Sequence, residues 1–213
     1  MTQPGTDPVA GPADDVARPA DDAALSADPA ASPEGRTGPI VILIGVPGAG
    51  KTTVGTLLSQ RLEAPFRDTD ADVVATAGRS IPEIFIDDGE AHFRELEARA
   101  VAAALDEHSG VLALGGGAVL DPQTRARLAG RPVVWLRVGV SAAAHRAGLT
   151  APRPVLMGNM RGQLRTLMEQ REPLYTQVAA LIVDTDQLTA EATVTAIVDA
   201  LGLRPDVAGS SNE

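Results

Sequence analysis

A glycine-rich segment that ends in a lysine is the strongest chemical signal in the sequence. It reads Gly45-Val-Pro-Gly-Ala-Gly50-Lys51-Thr52 and fits G-x-x-x-x-G-K-[ST], between a strand-like apolar run and a helix-like stretch. Backbone N–H groups and a helix N-terminus in such a loop bind phosphate, the lysine adds a point charge, and the threonine hydroxyl can ligate Mg²⁺. We therefore predict a nucleotide site formed by Gly48, Ala49, Gly50, Lys51, Thr52 and Thr53.

Lys51 is the only lysine among the 18 basic residues of the chain, and the other basic residues are arginines. Where either cation suffices, this sequence uses arginine, so the single lysine indicates a place that needs a compact ammonium. The Asn-Lys-x-Asp segment by which GTPases select their base is excluded, because it needs a second lysine. The loop alone does not distinguish a kinase from a motor protein.

The segment Asp68-Thr69-Asp70 is predicted to end the second strand. Positions i and i+2 of a strand point to the same face, so we expect both carboxylates to reach the cleft beside the phosphate loop. One could then hold Mg²⁺ and the other could accept the proton of a hydroxyl nucleophile. The alternative is an aspartate-rich helix N-cap.

The composition excludes several classes of function. The chain has 213 residues, 44% of them hydrophobic, a net charge of −10 and a pI of about 4.7, which argues against nucleic-acid and anionic-lipid partners. The absence of cysteine excludes disulfides, thiolate metal sites and a cysteine nucleophile. No apolar run approaches the roughly 18 residues of a membrane span, and the N-terminus shows no export signal, so we expect a cytoplasmic protein.

The domain organisation is predicted as tail, domain and short tail. Residues 1–38 hold seven acidic residues against two arginines, with many alanines and prolines, and are predicted to be a disordered extension. Residues 39–203 alternate strand-like and helix-like stretches, which predicts an α/β domain with a parallel sheet covered on both faces. Residues 204–213 are predicted to be a second disordered tail.

Five strands and seven helical segments are predicted in this domain. The predicted strands are Ile40–Ile44, Phe66–Asp68, Val111–Leu114, Val133–Val138 and Leu181–Val183. The predicted helices are Lys51–Leu62, one opened by the capping box Ser80-Ile-Pro-Glu83, Glu90–Glu107, one after Asp121-Pro122, Ser141–Ala147, Gly158–Tyr175 and Thr189–Leu201. Ligands of such a sheet bind at the carboxyl ends of the strands, where Gly115-Gly116-Gly117 offers bare backbone.

The order of the motifs resembles the shikimate kinase family. GVPGAGKTT is followed by DTD, SIPEIFIDDGEAHFRELE, LGGGAV, and then RP and REPLY, over about Ile40 to Leu201. The resemblance implies a P-loop kinase fold with a five-stranded parallel sheet and a lid at about 148–158. It also implies ATP- and Mg²⁺-dependent phosphorylation of the 3-hydroxyl of shikimate to shikimate 3-phosphate, in the chorismate pathway to aromatic amino acids. We expect a monomer whose partners are these small molecules.

The resemblance also implies the roles of individual residues. Thr52 and Asp68 would serve the metal, and Asp70 would bind the acceptor hydroxyls and act as base. The other matching positions are Arg94 and Arg171 on the substrate carboxylate, Gly116 and Gly117 as backbone contacts, Arg153 as the lid arginine, Arg146 on the adenine, and Phe85 and Phe93 as walls near the substrate ring. The sequence departs from the family in the segment 186–190, which lacks the proline that often packs on the adenine.

Two rival functions remain open at this point. Another small-molecule kinase, such as a gluconate kinase, also phosphorylates a hydroxy acid, but LGGGAV and the pair Arg94 and Arg171 argue against it. A catalytically inactive nucleotide-binding module is the second rival. The presence of Lys51, Asp70 and Arg153 argues against that interpretation.

Overall fold

The computed structural model describes residues 38–146 and 160–204. Residues 1–37 of the predicted extension, the predicted lid at 148–158 and residues 205–213 of the predicted tail lie outside the described residues. Within the described ranges, the chain contains no helix that is both long and apolar enough to cross a membrane.

Five parallel strands form one sheet in the order β2-β3-β1-β4-β5. The strands are β1 (Val41–Ile44), β2 (Phe66–Asp68), β3 (Val111–Ala113), β4 (Val133–Arg137) and β5 (Leu181–Asp184). Every side chain of β1 and β3 is buried, and successive side chains of a strand point to opposite faces, so both faces of the sheet are covered. The predicted five-stranded parallel sheet is confirmed, with strand ends that differ by one residue at most.

Helices connect the strands and cover the sheet. They are α1 (Lys51–Leu62), α2 (Thr69–Ala77), α3 (Ile81–Asp87), α4 (Gly89–Glu107), α5 (Pro122–Leu128), α6 (Val140–Arg146), α7 (Met160–Val178) and α8 (Ala190–Leu201), with a 3-10 turn at Ala118–Leu120. α1 packs against α8 and β3, whereas α7 packs against β4, α6 and the 3-10 turn. These contacts bury one continuous apolar core around the sheet.

The predicted helix starts are formed by the expected side chains. The Ser80 backbone N–H donates to Glu83 Oε2 at 2.8 Å, and the Ser80 hydroxyl accepts from the Glu83 N–H, so the capping box that begins α3 is complete. Asp121 accepts from the backbone N–H of Thr124 at 2.8 Å and caps α5, which has Pro122 at its first position.

The helix α2 is missing from the sequence-based prediction. Asp68 is the last residue of β2, and the chain turns into α2 at Thr69 rather than continuing as a strand. Val73 of α2, Ile84 of α3 and Phe93 of α4 pack into a small second apolar cluster beside the main core. This cluster packs the three helices against one another, and the first of them begins directly after the carboxyl end of β2.

Candidate active site

The phosphate loop joins the end of β1 to the start of α1. Gly48 has a φ of 81°, a left-handed conformation, and a Cβ at this position would collide with the backbone carbonyl of Ala143 on α6. The Lys51 Nζ donates to the carbonyl oxygens of Gly45 at 2.9 Å and Val46 at 3.4 Å. The ammonium therefore lies back over the loop, where a phosphate would replace carbonyl contacts with stronger ionic ones.

Burial lowers the pKa of the Lys51 ammonium, and nearby Asp70 and Asp68 partly offset this effect, whereas Arg171 adds to it. Four charged groups of the predicted site are thus close enough to influence one another. A bound polyphosphate would add negative charge at this point and favour the protonated lysine.

Thr52 and Asp68 offer the oxygen ligands that Mg²⁺ prefers. The Thr52 hydroxyl donates to Asp68 Oδ2 at 3.0 Å, directly beside the phosphate loop. Among the described residues there is no cluster of three or more histidine, aspartate or glutamate side chains that could enclose a metal. The pair therefore fits a Mg²⁺ ion that takes its remaining ligands from phosphate oxygens and water, as is common for kinases.

Asp70 reaches the site from a helix and not from a strand, which corrects the prediction that Asp68-Thr69-Asp70 ends β2. Asp68 Oδ1 accepts from the backbone N–H of Asp70 at 3.0 Å, so Asp68 is the N-cap of α2, as in the alternative interpretation. The two oxygens of Asp68 thus have different roles, since Oδ1 caps the helix and Oδ2 accepts from Thr52. Asp70 is placed in the first turn, still near Lys51.

Burial, followed by the like charge of Asp68, raises the pKa of the Asp70 carboxyl, while Lys51 and Arg94 partly offset the rise. A carboxylate with this balance is a better proton acceptor than a solvated aspartate. Lys51 and Arg94 favour its ionised form, and a carboxylate with a raised pKa beside two cations is the arrangement expected of a general base.

The glycine loop 115–117 lies between the acidic and basic groups of the site. A Cβ on Gly115 would lie 2.5 Å from Asp70 Oδ1 and 2.6 Å from Glu97 Oε1, so any side chain there would displace the two carboxylates. A Cβ on Gly117 would collide with the guanidinium of Arg94. The structure therefore brings together the three predicted residues Asp70, Arg94 and Gly117. They can lie this close only because the loop residues have no side chains.

Backbone hydrogen bonds fix the orientation of this loop. The carbonyl of Gly115 accepts from the Ala118 N–H at 3.0 Å, and that of Gly117 accepts from the Leu120 N–H at 2.8 Å. The Gly115 N–H donates to the Thr69 hydroxyl at 3.0 Å. Within the described part of the chain, no acceptor receives the N–H groups of Gly116 and Gly117. Two successive free N–H groups of this kind form a cradle for an anion.

Glu97 is a functional residue that the sequence reasoning missed. Its side chain is 3% exposed and accepts from Arg94 Nη1 at 2.6 Å, one turn further along α4. Glu90 accepts from Nε and Nη2 of the same guanidinium at 3.2 and 2.9 Å. Burial raises the pKa of Glu97, and Arg94 partly offsets the rise. The motif spacing R-x-x-E was the available signal, because residues i and i+3 share a helix face.

Arg171 enters the site from α7. Its Nη1 donates to the carbonyl oxygen of Gly116 at 2.9 Å, and the Tyr175 hydroxyl donates to the same oxygen at 2.6 Å. Arg171 is also close enough to Lys51 and Glu97 to affect the pKa of each. Arg94 and Arg171 thus approach the glycine loop from two different helices.

A separate cavity of about 170 Å³ lies on the other side of the phosphate loop. Arg146 forms part of its wall and donates to the hydroxyl and the carbonyl oxygen of Thr185 at 3.0 and 2.7 Å. The rest of its lining includes Ala49, Gly50, Thr53, Leu188 and Ala190. Four of the predicted nucleotide residues therefore line one cavity, namely Ala49, Gly50, Thr53 and Arg146. Leu188 and Ala190 provide an apolar wall in a segment without proline.

Two further predictions have mixed outcomes. Arg153 lies outside the described residues together with the predicted lid. Phe93 is buried in the small second cluster, with its ring centroid 4.6 Å from that of Phe85, which is 37% exposed. Phe93 thus belongs to a helix core, and of the two rings only Phe85 has a partly open surface.

Comparisons with known proteins identify the family. The profile of the shikimate kinase family matches residues 47–202. The chain belongs to the shikimate kinase family. It is 54% identical to the shikimate kinase of Streptomyces coelicolor over 166 residues, which cover 78% of this chain and 97% of that protein. It is 45% identical to the Mycobacterium avium shikimate kinase over 164 residues, covering 76% of this chain and 93% of that protein.

The fold agrees with the same family. A shikimate kinase from Acinetobacter baumannii, solved in complex with shikimate, has a TM-score of 0.71 and 34% sequence identity, over 78% of this chain and 93% of that chain. Shikimate kinases are phosphotransferases with an alcohol acceptor and ATP as co-substrate, so the predicted fold and enzyme class are confirmed.

Proposed function

We propose that this chain transfers the γ-phosphoryl group of ATP to the 3-hydroxyl of shikimate, with Mg²⁺ as cofactor. The observation that carries the proposal is the convergence of Asp70, Arg94 and Arg171 on the glycine loop 115–117, beside Lys51. This reaction needs three kinds of group in one place. They are a carboxylate that accepts a proton, two arginines that bind the substrate carboxylate, and an ammonium that binds phosphate.

The acid group of the substrate is held by arginines and backbone. Arg94 and Arg171 present planar guanidinium groups, whose parallel N–H pairs match a carboxylate. The free N–H groups of Gly116 and Gly117 supply further donors between them. Glu97 and Glu90 occupy several N–H groups of Arg94 and so restrict its orientation before substrate arrives.

Phosphoryl transfer is then a matter of position and charge. The 3-hydroxyl oxygen of shikimate forms a bond to the γ-phosphorus, the bond from that phosphorus to the β,γ-bridging oxygen breaks, and ADP leaves. The hydroxyl proton passes to the Asp70 carboxylate, and Lys51 balances the charge of the phosphates. Thr52 and Asp68 would hold Mg²⁺, which would supply positive charge against the phosphates.

The nucleotide side and the lid complete the proposal. Arg146, with Leu188 and Ala190 nearby, would contact the adenine in the 170 Å³ cavity. Arg153 would close over the phosphates with the lid at 148–158, on the strength of the family resemblance. We further propose that the enzyme acts as a monomer in the cytoplasm, where ATP is available.

A coupled assay of ADP release tests the substrate. We expect turnover with shikimate and none with gluconate, and the reverse result would assign the chain to another class of small-molecule kinase. ATP binding without ADP release on either acid would instead support an inactive module.

Asp70→Asn tests the base. We expect kcat to fall by about 10²–10⁴-fold while ATP still binds, because the variant keeps the shape of the side chain but cannot accept the proton. Asp72→Asn is the matched control: Asp72 lies on the same helix, pairs with Arg67 at 2.8 Å and does not face the glycine loop. A variant at position 70 that retains more than about a tenth of the wild-type rate contradicts the assignment.

A further inference from the structure

The Gly116 carbonyl oxygen accepts from two side chains of α7, and only one of them has a role in the proposed function. Arg171 Nη1 donates at 2.9 Å and the Tyr175 hydroxyl at 2.6 Å. Tyr175 lies one turn beyond Arg171 and is 1% exposed. Burial raises the pKa of Tyr175 to about 12, so its hydroxyl keeps the donated proton throughout the working range of pH.

We propose that Tyr175 is a positioning residue for substrate binding: its hydroxyl holds the Gly116–Gly117 peptide in the orientation that keeps the Gly117 N–H available to the substrate. A trans peptide is planar, so the Gly117 N–H points opposite to the Gly116 carbonyl. Whatever fixes that carbonyl therefore fixes the adjacent N–H. This inference rests on the proposed use of the glycine loop and Arg171 in binding the substrate acid.

The Gly116 carbonyl benefits from two hydrogen-bond donors because one of them, Arg171, must also bind the substrate carboxylate. A guanidinium that grips a carboxylate uses two parallel N–H groups and must adjust to the position of the ligand. Tyr175 has no such second role. It keeps the Gly116 carbonyl satisfied while Arg171 adapts, and a partly buried carbonyl that lost both donors would destabilise the loop.

The tyrosine ring is itself held in place. It stacks on Trp135 of β4, with ring centroids 5.5 Å apart and an angle of 25° between the planes. Trp135 is 6% exposed and belongs to the main core. The hydroxyl is therefore fixed to the sheet through two aromatic rings, a more rigid support than the long arginine side chain provides.

Tyr175→Phe isolates the hydroxyl, because the variant keeps the ring and its stacking on Trp135. We expect the KM for shikimate to rise about 3- to 10-fold, the effect of one lost hydrogen bond, with the KM for ATP changed less than about twofold. Thr176→Val is the matched control: it removes the neighbouring exposed hydroxyl, which donates to Glu172 on the same helix, and should change neither constant. An unchanged KM for shikimate, or equal rises in both KM values with a lower melting temperature, overturns the inference.

A second measurement does not depend on a variant. Tyr175 is the only tyrosine of the chain, so biosynthetic 3-fluorotyrosine places a single fluorine beside this hydroxyl. We expect its NMR signal to shift when shikimate is added and to stay within its linewidth when ADP is added alone. The absence of a shift at saturating shikimate overturns the inference.

Arg171→Lys separates the two proposals, because a normal KM for shikimate in that variant contradicts the substrate site itself.

Discussion

At the scale of single residues, the site holds the carboxylate of Asp70 in surroundings that disfavour its charged form. Asp70 is largely buried and close to Asp68, and these two effects raise its pKa more than Lys51 and Arg94 lower it. A carboxyl with a raised folded-state pKa contributes stability when it is protonated, and that contribution is lost as the pH rises through the folded pKa. At neutral pH, ionised Asp70 therefore lowers the stability of the folded chain.

Asp70→Asn should be more stable than the wild type at pH 7. We expect the melting temperature to rise by about 2–4 °C, the effect of about 1 kcal/mol in a domain of this size. The difference should shrink as the pH falls towards the ordinary pKa of an aspartate, because the wild-type carboxyl then becomes neutral too. Thermal melts of both proteins between pH 4 and 7 measure this, and a less stable variant at pH 7 contradicts the assigned sign.

Lys51 illustrates why one cation cannot replace another. Its ammonium fits between two loop carbonyls, at 2.9 and 3.4 Å, in a place where a planar guanidinium has a different shape and a wider reach. Lys51→Arg should lower kcat/KM on the order of 10²-fold, the loss typical of removing one fixed group that stabilises transition-state charge. Arg61→Lys, the opposite exchange at an exposed position of α1, is the control and should be neutral. Near-normal kinetics for Lys51→Arg would mean that the single lysine reflects codon bias.

At the scale of elements, the chain was predictable where periodicity or capping is strong. The apolar β-branched run of β1 and the capping box of α3 specify their structures through interactions within a few residues. The start of α2 was not predictable in the same way. An aspartate can end a strand or cap a helix, and only the hydrogen bond from the Asp70 N–H to Asp68 decides between them.

The parts of the site that the sequence could not supply are contacts between distant residues. Tyr175 and Gly116 are separated by 59 positions, and the spacing of residues on α7 carries no information about a carbonyl in another loop. Glu97 carries its signal within α4, but a glutamate near an arginine on a helix is usually a surface pair. Its burial, and hence its importance, depends on the packing of α4 over the glycine loop.

A substitution in the glycine loop 115–117 tests whether this loop must lack side chains for the substrate to bind. Gly117→Ala should raise the KM for shikimate about 10-fold or more, because the added methyl group must displace the Arg94 guanidinium from its place beside Glu97. Steady-state kinetics with both substrates measures the effect. Gly162→Ala is the control: its Cβ meets no atom within 4 Å, and alanine is the better helix former, so α7 should be unaffected or slightly stabilised. Unchanged binding in Gly117→Ala would place the substrate away from Arg94.

At the scale of the whole molecule, an acidic chain places three cations where two anionic substrates would bind. The net charge is −10, yet the groups around the phosphate and glycine loops include Lys51, Arg94 and Arg171. Half of the net charge belongs to residues 1–37, which hold seven acidic residues and two arginines. Glu90 and Glu97 pair with Arg94, and Asp68 and Asp70 lie near Lys51, so each cation of the site is accompanied by carboxylates that hold it in place.

Removal of residues 1–37 should leave the enzyme intact. Among the described residues, β1 begins at Val41 and belongs to one continuous apolar core with residues that follow it in sequence. At about 0.15 M salt, where charges more than roughly 8 Å apart are screened, kcat, both KM values and the melting temperature should match those of the full chain. At low salt, the loss of five net negative charges should lower the KM for both anionic substrates, by about twofold at most. A lower melting temperature, or a kinetic change that persists at high salt, would mean that these residues contact the folded domain.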